Sequence, residues 1–228
     1  MIPYQWILFD ADDTLFHFDA YLGLQRTLNS LGKTFEHQDY DAYSLLNRGL
    51  WNDYQNGDIS IYDLQRLRFA PWSQKLQISA DHFSQLFQET MNDICEPLDG
   101  AVSLLTALHG KFKLGIITNG FTEQQQIRLG RTGLMNLFEM LVVSEYVGVA
   151  KPHPKIFEHA LTFMGETARE HVLMVGDNPD SDIKGGLNVG LHTCWLNVHN
   201  KPMPQGIVPH YEVATLQQLE QLLGQDQV

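Results

Sequence analysis

Cysteine is scarce in this chain, and its two residues lie far apart. Cys95 and Cys194 do not form the short Cys-x-x-Cys pattern that is typical of zinc and redox sites. A small secreted domain that depends on disulfides would need more cysteines at closer spacing. The composition therefore predicts neither a disulfide framework nor a zinc site, and it favours a reducing, cytoplasmic setting.

Positive charge is also in deficit. The 228 residues include 15 Lys and Arg against 27 Asp and Glu, which gives a formal net charge of −12 at pH 7. Such a field repels the phosphates of a nucleic acid, so we expect no nucleic-acid polymer as a partner. A small anionic substrate would need positive charge placed locally at its site.

Long apolar runs and internal repeats are missing as well. No run approaches the ~18 apolar residues of a membrane span, and the N-terminus lacks the basic segment and apolar stretch of a signal peptide. We therefore expect no membrane association. The hydrophobic fraction of 43% indicates a globular chain, and the length fits one domain with a large insertion or two unequal domains. Nothing in the sequence indicates an oligomeric state.

Five short apolar runs are each flanked by segments with helical spacing. These runs are Trp6–Phe9, Leu114–Ile117, Met140–Val143, Val172–Val175 and Thr193–Leu196. Strands that alternate with helices form a parallel sheet. The sequence therefore predicts an α/β fold with a Rossmann-like, open parallel sheet.

The stretch from Phe18 to Ile94 departs from this alternation, because it carries helix-like patterns and no convincing strand. One helix is marked by apolar residues at intervals of three and four around Leu50, and it ends at Asn56-Gly57. The α/β pattern resumes near the turn-forming stretch Pro97–Gly100. We therefore predict a core of residues 1–17 and 97–228 and a helical cap domain, residues 18–96, inserted after the first strand.

Two carboxylates follow the first predicted strand. Asp10 comes directly after Phe9, and Asp12 lies two positions further on. Because a carboxylate needs no deprotonation at neutral pH, Asp10 is a candidate nucleophile for phosphorus, and Asp12 is a candidate acid for the leaving oxygen. Taken alone, this segment is also compatible with an ordinary turn or a helix cap.

Two further strand ends carry groups suited to phosphate. Thr118, Asn119 and Gly120 follow the second strand, where a hydroxyl and backbone N–H groups can bind phosphate oxygens. Lys151 precedes a proline and a helical pattern, and its ammonium could offset the charge of a carboxylate and a phosphate together. Taken alone, the Thr-Asn-Gly segment is also typical of an ordinary turn, and Lys151 is also typical of a surface lysine.

Acidic residues crowd together after the fourth strand. Asp177, Asp180 and Asp182 follow Gly176 within a few positions, a charge density that is costly without a cation. Asp177 and Asp182 are hard oxygen ligands suited to Mg²⁺. The alternative is an acidic helix start with Pro179 in its first turn. All four polar segments nevertheless fall at the carboxyl ends of predicted strands, where open α/β sheets bind ligands.

In order and spacing, these segments resemble the four motifs of the haloacid dehalogenase-like (HAD) superfamily. The first motif is similar to Asp10, Asp12 and Thr14, and the later motifs are similar to Thr118, to Lys151, and to Gly176-Asp177 with Asp182. The resemblance implies an HAD-like core. The long gap between Thr14 and Thr118 and the short gap from Thr118 to Lys151 indicate a helical cap of the first-insertion type.

The resemblance also implies a role for each motif. Asp10 would form an aspartyl-phosphate, and Asp12 would act as general acid and then as general base. Thr118 and Lys151 would hold the phosphoryl group, with Asn119 and Gly120 as further phosphate-binding residues.

A metal site is implied as well. Asp10, Asp177 and the backbone carbonyl of Asp12 would bind Mg²⁺, or Mn²⁺ in its place, and Asp182 would orient the ligands around the metal. Asn178, where many relatives have Ser or Thr, and the additional acid Asp180 depart from the family pattern.

Substrate choice is expected to depend on the cap domain. Phe16, Trp51 and Tyr54 are candidates, because aromatic faces can stack on a nucleotide base. Most aromatic residues of the helical stretch, however, are expected to form its core.

Phosphoryl transfer is favoured over dehalogenation, because the chain supplies both an acid at position 12 and a metal site. Segments 6–16, 50–57 and 116–121 resemble the bacterial pyrimidine 5′-nucleotidase branch of the superfamily. That resemblance implies UMP, dUMP and dTMP as substrates and a role in cleaning the nucleotide pool. The alternatives are a phosphatase of small sugar phosphates, a mutase, and a noncatalytic binding module, which the presence of both Asp10 and Asp12 disfavours.

Overall fold

The chain divides into two compact units in the computed structural model, which describes residues 4–224. The sheet unit comprises the chain up to His17 and from Glu96 onwards, and the helical unit is Phe18–Cys95. The Glu96 carbonyl accepts a hydrogen bond from the His17 amide at 2.9 Å. This contact ties Glu96 to the sheet unit, whereas the sequence analysis assigned that residue to the helical insertion.

A parallel six-stranded sheet forms the centre of the sheet unit. Its strands are β1 (Trp6–Phe9), β2 (Lys113–Thr118), β3 (Met140–Val143), β4 (Val172–Gly176), β5 (His192–Leu196) and β6 (Tyr211–Val213). Their order in the sheet is β3-β2-β1-β4-β5-β6. The predicted α/β fold with an open parallel sheet is confirmed. The sequence analysis missed β6, because the strand is short and its three residues alternate from half-buried to exposed to buried.

Helices connect the strands and form the whole regular structure of the helical unit. The α-helices are α1 (Ala20–Ser30), α2 (His37–Asn56), α3 (Ile61–Leu67), α4 (Ala70–Leu76), α5 (Ala80–Ile94), α6 (Ala101–Leu108), α7 (Thr122–Arg131), α8 (Ser144–Val147), α9 (Pro154–Met164), α10 (Lys184–Asn188) and α11 (Leu216–Gly224). Among the described residues, none of these helices combines the length and the apolarity that crossing a membrane would require.

The central strand β1 explains why the site residues meet. All four of its residues are buried, and Phe9 lies opposite Ile116 of β2 on one side and Val175 of β4 on the other. A strand that is covered on both faces reads as a continuous apolar run. Helix α9 adds Ile156 and Phe157 to the core beneath this strand. Burial of each such side chain contributes about 1.5–3 kcal/mol.

The helical unit has a core of its own, rich in aromatic residues. The core consists of Leu24, Leu28, Tyr43, Phe69, Trp72, Phe83, Phe87 and Met91. Helix α2 ends as predicted at Gly57, which adopts a φ of 82° in the left-handed region that glycine tolerates best. The expectation that most aromatic side chains of this stretch serve packing agrees with this cluster.

Candidate active site

Three of the predicted site residues lie at the ends of neighbouring strands. Asp10 follows β1, Thr118 ends β2 and Asp177 follows β4. Because β1 lies between β2 and β4, the carboxyl ends of all three strands meet at one edge of the sheet. The Asp10 amide continues the ladder by donating to the Val175 carbonyl at 2.9 Å. The nucleophile candidate is therefore held by the sheet itself.

Lys151 reaches this edge from the segment that follows α8. Its Nζ lies 2.5 Å from Asp10 Oδ1 and 2.8 Å from Asp182 Oδ1, and it donates to the Ile117 carbonyl at 2.8 Å. The side chain is almost fully buried. Burial acts to lower the pKa of Lys151, but Asp10 and Asp182 outweigh it and raise the pKa above its ordinary value. Lys151 is thus a fixed ammonium beside the nucleophile candidate.

Asn119 and Gly120 have protein partners in the structure. The Asn119 side chain donates to the Lys151 carbonyl at 3.1 Å and accepts from the Lys151 amide at 2.8 Å. The Gly120 amide donates to Ser144 Oγ at 3.0 Å. Asn119 therefore positions Lys151 through its side chain, and the Gly120 amide has a protein partner. Phosphate binding by these two residues stays a prediction.

Thr118 differs from these neighbours. Its hydroxyl is buried, and the described residues offer it no hydrogen-bond partner. A buried polar atom without a partner carries a desolvation cost, which a bound ligand can remove. The Thr118 hydroxyl is therefore the donor at the end of β2 that is suited to a phosphate oxygen.

Asp10, Asp177 and Asp182 form an acidic cluster. One carboxylate oxygen from each lies within 4.8 Å of the others. Burial first, and then Asp182 and Asp10, raises the pKa of Asp177 to about 8. Burial also raises the pKa of Asp182 to about 6, although Lys151 acts against this shift. Crowded oxygen ligands that resist ionisation in this way fit a site for a divalent cation.

Contacts from other motifs hold Asp177 in place. Its amide donates to Thr14 Oγ1 at 3.1 Å, and its carbonyl accepts from the Trp195 indole at 2.9 Å. Asp177 is therefore anchored to the first motif and to β5, and its carboxylate is left half-buried at the sheet edge.

Asp182 contacts protein donors on both carboxylate oxygens. Oδ2 accepts from the Asn178 amide at 3.1 Å, while Oδ1 accepts from Ser181 Oγ at 3.1 Å as well as from Lys151. A side chain at Gly176 would collide with this carboxylate, so glycine is required there. The arrangement suits the predicted orienting role of Asp182.

The alternative interpretation of this segment, an acidic helix start, also describes its backbone. The Asn178 side chain accepts hydrogen bonds from the amides of Asp180 and Ser181.

Arg128 is a site residue that the sequence analysis missed. It lies on α7, is almost fully buried, and its Nη1 contacts Asp12 Oδ1 at 2.5 Å. Its guanidinium carbon lies 4.7 Å from the centre of the Phe16 ring. Helical spacing does not indicate that an arginine on α7 is buried, so no signal in the sequence identifies Arg128 as the partner of Asp12.

The three aromatic candidates for substrate contact lie in different surroundings. Phe16 is fully buried, and its ring supports the Arg128 guanidinium. Trp51 and Tyr54 lie on α2 with ring centres 5.9 Å apart. Tyr54 is buried and Trp51 is half-buried.

A cavity of about 310 Å³ adjoins Asp177 within the sheet unit. Its lining includes Asp13, His17, His199 and Lys201. The segment with His199 and Lys201 is held by Asn197, which donates to the Lys201 carbonyl at 2.9 Å and accepts from the Lys201 amide at 2.8 Å. The basic side chains of this lining were not predicted from the sequence, because the segment that carries them has no recognisable motif.

Comparison with known proteins gives the family. The family model of the haloacid dehalogenase-like hydrolases matches residues 4–190. The chain belongs to this family. As a haloacid dehalogenase-like hydrolase, it is an enzyme, and the family predicted from its four motifs is confirmed.

Individual relatives align with this haloacid dehalogenase-like protein over almost its whole length. Pyrimidine 5′-nucleotidase YjjG of Escherichia coli (strain K12) is 51% identical over 222 residues, which span 97% of this chain and 99% of the relative. Pyrimidine 5′-nucleotidase PynA of Streptococcus pneumoniae is 32% identical, over 95% of this chain and 93% of its own. The crystal structure of the HAD-hydrolase YfnB from Bacillus subtilis, bound to magnesium, superposes with a TM-score of 0.85 at 30% identity and covers 96% of this chain and 98% of that chain.

Proposed function

We propose that the protein is a Mg²⁺-dependent phosphatase of pyrimidine nucleoside 5′-monophosphates that works through an aspartyl-phosphate on Asp10. The observation that carries the chemistry is the pairing of Asp10 with Lys151 at a sheet edge. The same edge holds the Thr118 hydroxyl, which has no hydrogen-bond partner within residues 4–224. The similarity to the Escherichia coli nucleotidase supports UMP, dUMP and dTMP as the substrate class. In this proposal, the helical unit acts as the cap domain.

In the first step, an Asp10 carboxylate oxygen attacks the phosphorus atom, and the bond from phosphorus to the ester oxygen breaks. Asp12 donates a proton to that leaving oxygen, so the nucleoside departs as a neutral alcohol. Lys151 and Thr118 bind oxygens of the phosphoryl group and compensate its charge. The phosphoryl group is then attached to Asp10.

In the second step, the Asp12 carboxylate takes a proton from water, and the resulting hydroxide oxygen attacks the same phosphorus atom. The bond between phosphorus and Asp10 breaks, inorganic phosphate leaves, and Asp12 is protonated again. Asp12 is suited to both steps because its side chain is partly exposed and, among the described residues, only Oδ1 has a partner.

The metal contribution follows from the acidic cluster. Asp10, Asp177 and the backbone carbonyl of Asp12 would hold Mg²⁺, which neutralises negative charge where the carboxylate nucleophile meets an anionic substrate. Asp182 would keep Lys151 and the Asn178 segment in position. Mn²⁺ has the same preference for oxygen ligands and is expected to replace Mg²⁺.

Magnitudes show which groups must contribute most. Hydrolysis of phosphate monoesters needs an acceleration of up to ~10²¹, roughly 28 kcal/mol at ~1.36 kcal/mol per decade. A general acid supplies only ~10²–10⁴ of this factor. Charge compensation by Lys151, Thr118 and the metal, together with in-line positioning at the strand ends, must supply the larger share.

The cellular setting proposed is the cytoplasm, where nucleotide monophosphates are found. Cys95 and Cys194 are free thiols. The binding partners that we propose are small phosphate monoesters, the substrates of the proposed reaction.

A substrate panel tests the proposal. Phosphate release would be measured from UMP, dUMP, dTMP, purine nucleotides and sugar phosphates, with Mg²⁺ or with EDTA. We expect release that requires Mg²⁺ and favours the pyrimidine nucleotides. A preference for sugar phosphates would keep the chemistry and replace the substrate, dependence on a bisphosphate would reveal a mutase, and no release from any compound would favour the noncatalytic module.

A further inference from the structure

A second cavity lies inside the helical unit. Its volume is about 390 Å³, and its lining includes Asp39, Tyr43, Arg68, Trp72 and Lys75. These residues come from α2, α4 and the position directly after α3. The cavity is therefore built by the helical unit alone and uses none of the residues at the strand ends.

Arg68 gives this cavity an unusual charge. The residue is only 5% exposed, and its Nε has no hydrogen-bond partner among the described residues. No carboxylate in residues 4–224 pairs with its guanidinium. Burial lowers the pKa of Arg68, and Tyr43 is the group that acts in the opposite direction. A buried charge without a counter-ion is strongly unfavourable, so an anionic ligand that pairs with it would be stabilised at this site.

The contacts that Arg68 does make are with aromatic rings. Its guanidinium carbon lies 4.7 Å from the centre of the Phe69 ring and 5.6 Å from that of Phe87. Such cation–π contacts are weaker than a hydrogen-bonded ion pair. The Tyr43 side chain also stabilises the charge, but Nε of the guanidinium has no hydrogen-bond partner among the described residues. The positive charge is therefore held in place without being neutralised.

The acidic group of the lining, Asp39, has another partner. Asp39 pairs with Lys75 at 3.7 Å, and Lys75 is an exposed side chain. The lining thus carries two cations and one carboxylate, and the carboxylate is directed to the exposed cation. The net charge of the lining favours an anion next to Arg68.

One wall of the cavity is flat and apolar. The rings of Tyr43 and Trp72 are nearly parallel, with centres 5.6 Å apart and an interplanar angle of 13°. Phe69 lies beside both rings and nearly parallel to them, 5.9 Å from Tyr43 at 12° and 6.3 Å from Trp72 at 22°. Rigid aromatic walls with one convergent charged group are typical of a site for a small organic molecule.

We propose that this cavity binds a small organic anion, with a carboxylate or phosphate group on Arg68 and a flat ring against the wall of Tyr43 and Trp72. The planar guanidinium offers paired N–H donors that match two oxygens of either group. The same chemistry is present in a nucleotide and in a separate effector that carries an aromatic ring. The existence of the site does not depend on the proposed function. The choice between a nucleotide and an effector as its ligand does depend on it.

Calorimetric titration tests the site. The full chain with Mg²⁺ would be titrated with phenylphosphonate, which a phosphatase cannot hydrolyse, and with benzoate. We expect saturable binding with a Kd between about 1 µM and 1 mM, and binding at least ~10-fold weaker in Arg68→Met. The matched control is Arg66→Met, which removes an exposed arginine on α3 that pairs with Asp63, and which should bind like wild type.

Thermal unfolding provides a second readout on the same variants. Because Arg68→Met replaces an uncompensated charge by an apolar side chain, the ligand-free variant should unfold at the same temperature as wild type or at a higher one. The rise in Tm that phenylphosphonate or benzoate gives to wild type should disappear. Arg68→Lys, which keeps the charge without the paired donors, should retain part of the binding.

Three results would overturn the proposal. The first is that neither probe binds saturably, and the second is that wild type and Arg68→Met bind equally well. The third is a marked fall in the Tm of Arg68→Met, which would show that the charge of the guanidinium is already compensated.

Inhibition kinetics then separate the two sources of the ligand. Competition with UMP that Arg68→Met abolishes would assign the cavity to the substrate, and binding without competition would assign it to an effector. If UMP is not hydrolysed at all, the proposed function fails while the titration still decides the site.

Discussion

Arg128 Nη1 lies 2.5 Å from Asp12 Oδ1, and this ion pair joins helix α7 to the residue assigned as the acid and base. The Phe16 ring supports the guanidinium from below at 4.7 Å. Among the described residues, Nε and Nη2 of Arg128 have no hydrogen-bond partner, so the Asp12 contact is its main polar interaction. Arg128 therefore holds the Asp12 carboxylate in position.

Replacing Arg128 should lower kcat and leave KM nearly unchanged. In Arg128→Met, Asp12 remains but is no longer held, so we expect a loss of about 10–10²-fold, less than the ~10²–10⁴ of a missing acid. Arg128→Lys should recover part of the loss. Arg131→Met, an exposed arginine at the end of the same helix, is the control. Equal losses in the two methionine variants, or a change in KM alone, would argue against the positioning role.

The acidic cluster predicts how stability depends on pH when no metal is bound. Asp177 has a pKa raised from 3.8 to about 8, and that of Asp182 is raised to about 6. A carboxyl with a raised pKa in the folded state stabilises the fold below its unfolded pKa, and this contribution is lost as the pH rises through the folded value. In EDTA, Tm should therefore fall between about pH 4 and pH 8.

Two comparisons check this pH dependence. Asp177→Asn should remove most of the fall in Tm, whereas Asp99→Asn, at an exposed position of the sheet unit, should not. Mg²⁺ should raise Tm more at pH 8 than at pH 6, because it binds the ionised carboxylates. A Tm in EDTA that rises over this range would contradict the assignment of the cluster as a metal site.

Gly176 predicts a steric effect on the same cluster. A methyl group there would collide with the Asp182 carboxylate, which anchors Lys151. Gly176→Ala should therefore lower stability by about 1–3 kcal/mol and reduce activity as Lys151 shifts. Gly130→Ala on α7 is the control, because no atom lies within 4 Å of its added carbon and alanine favours the helix by about 0.5–1 kcal/mol. Denaturant unfolding compares them, and a neutral Gly176→Ala would reject the packing argument.

Most of the fold could be predicted from the sequence, because the buried strands are short, apolar and bounded by turns. Five strands were predicted close to their observed positions, whereas Tyr211–Val213 was missed because it is short and has an exposed residue at its centre. The candidate site could be predicted as far as its carboxylates, its lysine and Thr118, because these residues follow strands that end at one edge.

Side-chain contacts across the fold could not be predicted in the same way. Asn119 and Gly120 occur in a phosphate-binding pattern, yet they contact Lys151 and Ser144. Arg128 and Arg68 resemble surface arginines in the sequence, and burial is decided by tertiary packing. Such contacts depend on which helix face meets the sheet or a neighbouring helix, which local spacing does not specify.

The most direct test of the central claim is to trap the phosphorylated enzyme. UMP labelled with radioactive phosphorus would be mixed with enzyme and Mg²⁺, quenched in acid within a single turnover, and digested for mass spectrometry. We predict label on the peptide that contains Asp10, released by hydroxylamine as expected for an acyl phosphate, and no label in Asp10→Asn, which should remain folded but nearly inactive. Rapid UMP hydrolysis without label on Asp10, or wild-type-like turnover by Asp10→Asn, would contradict the account.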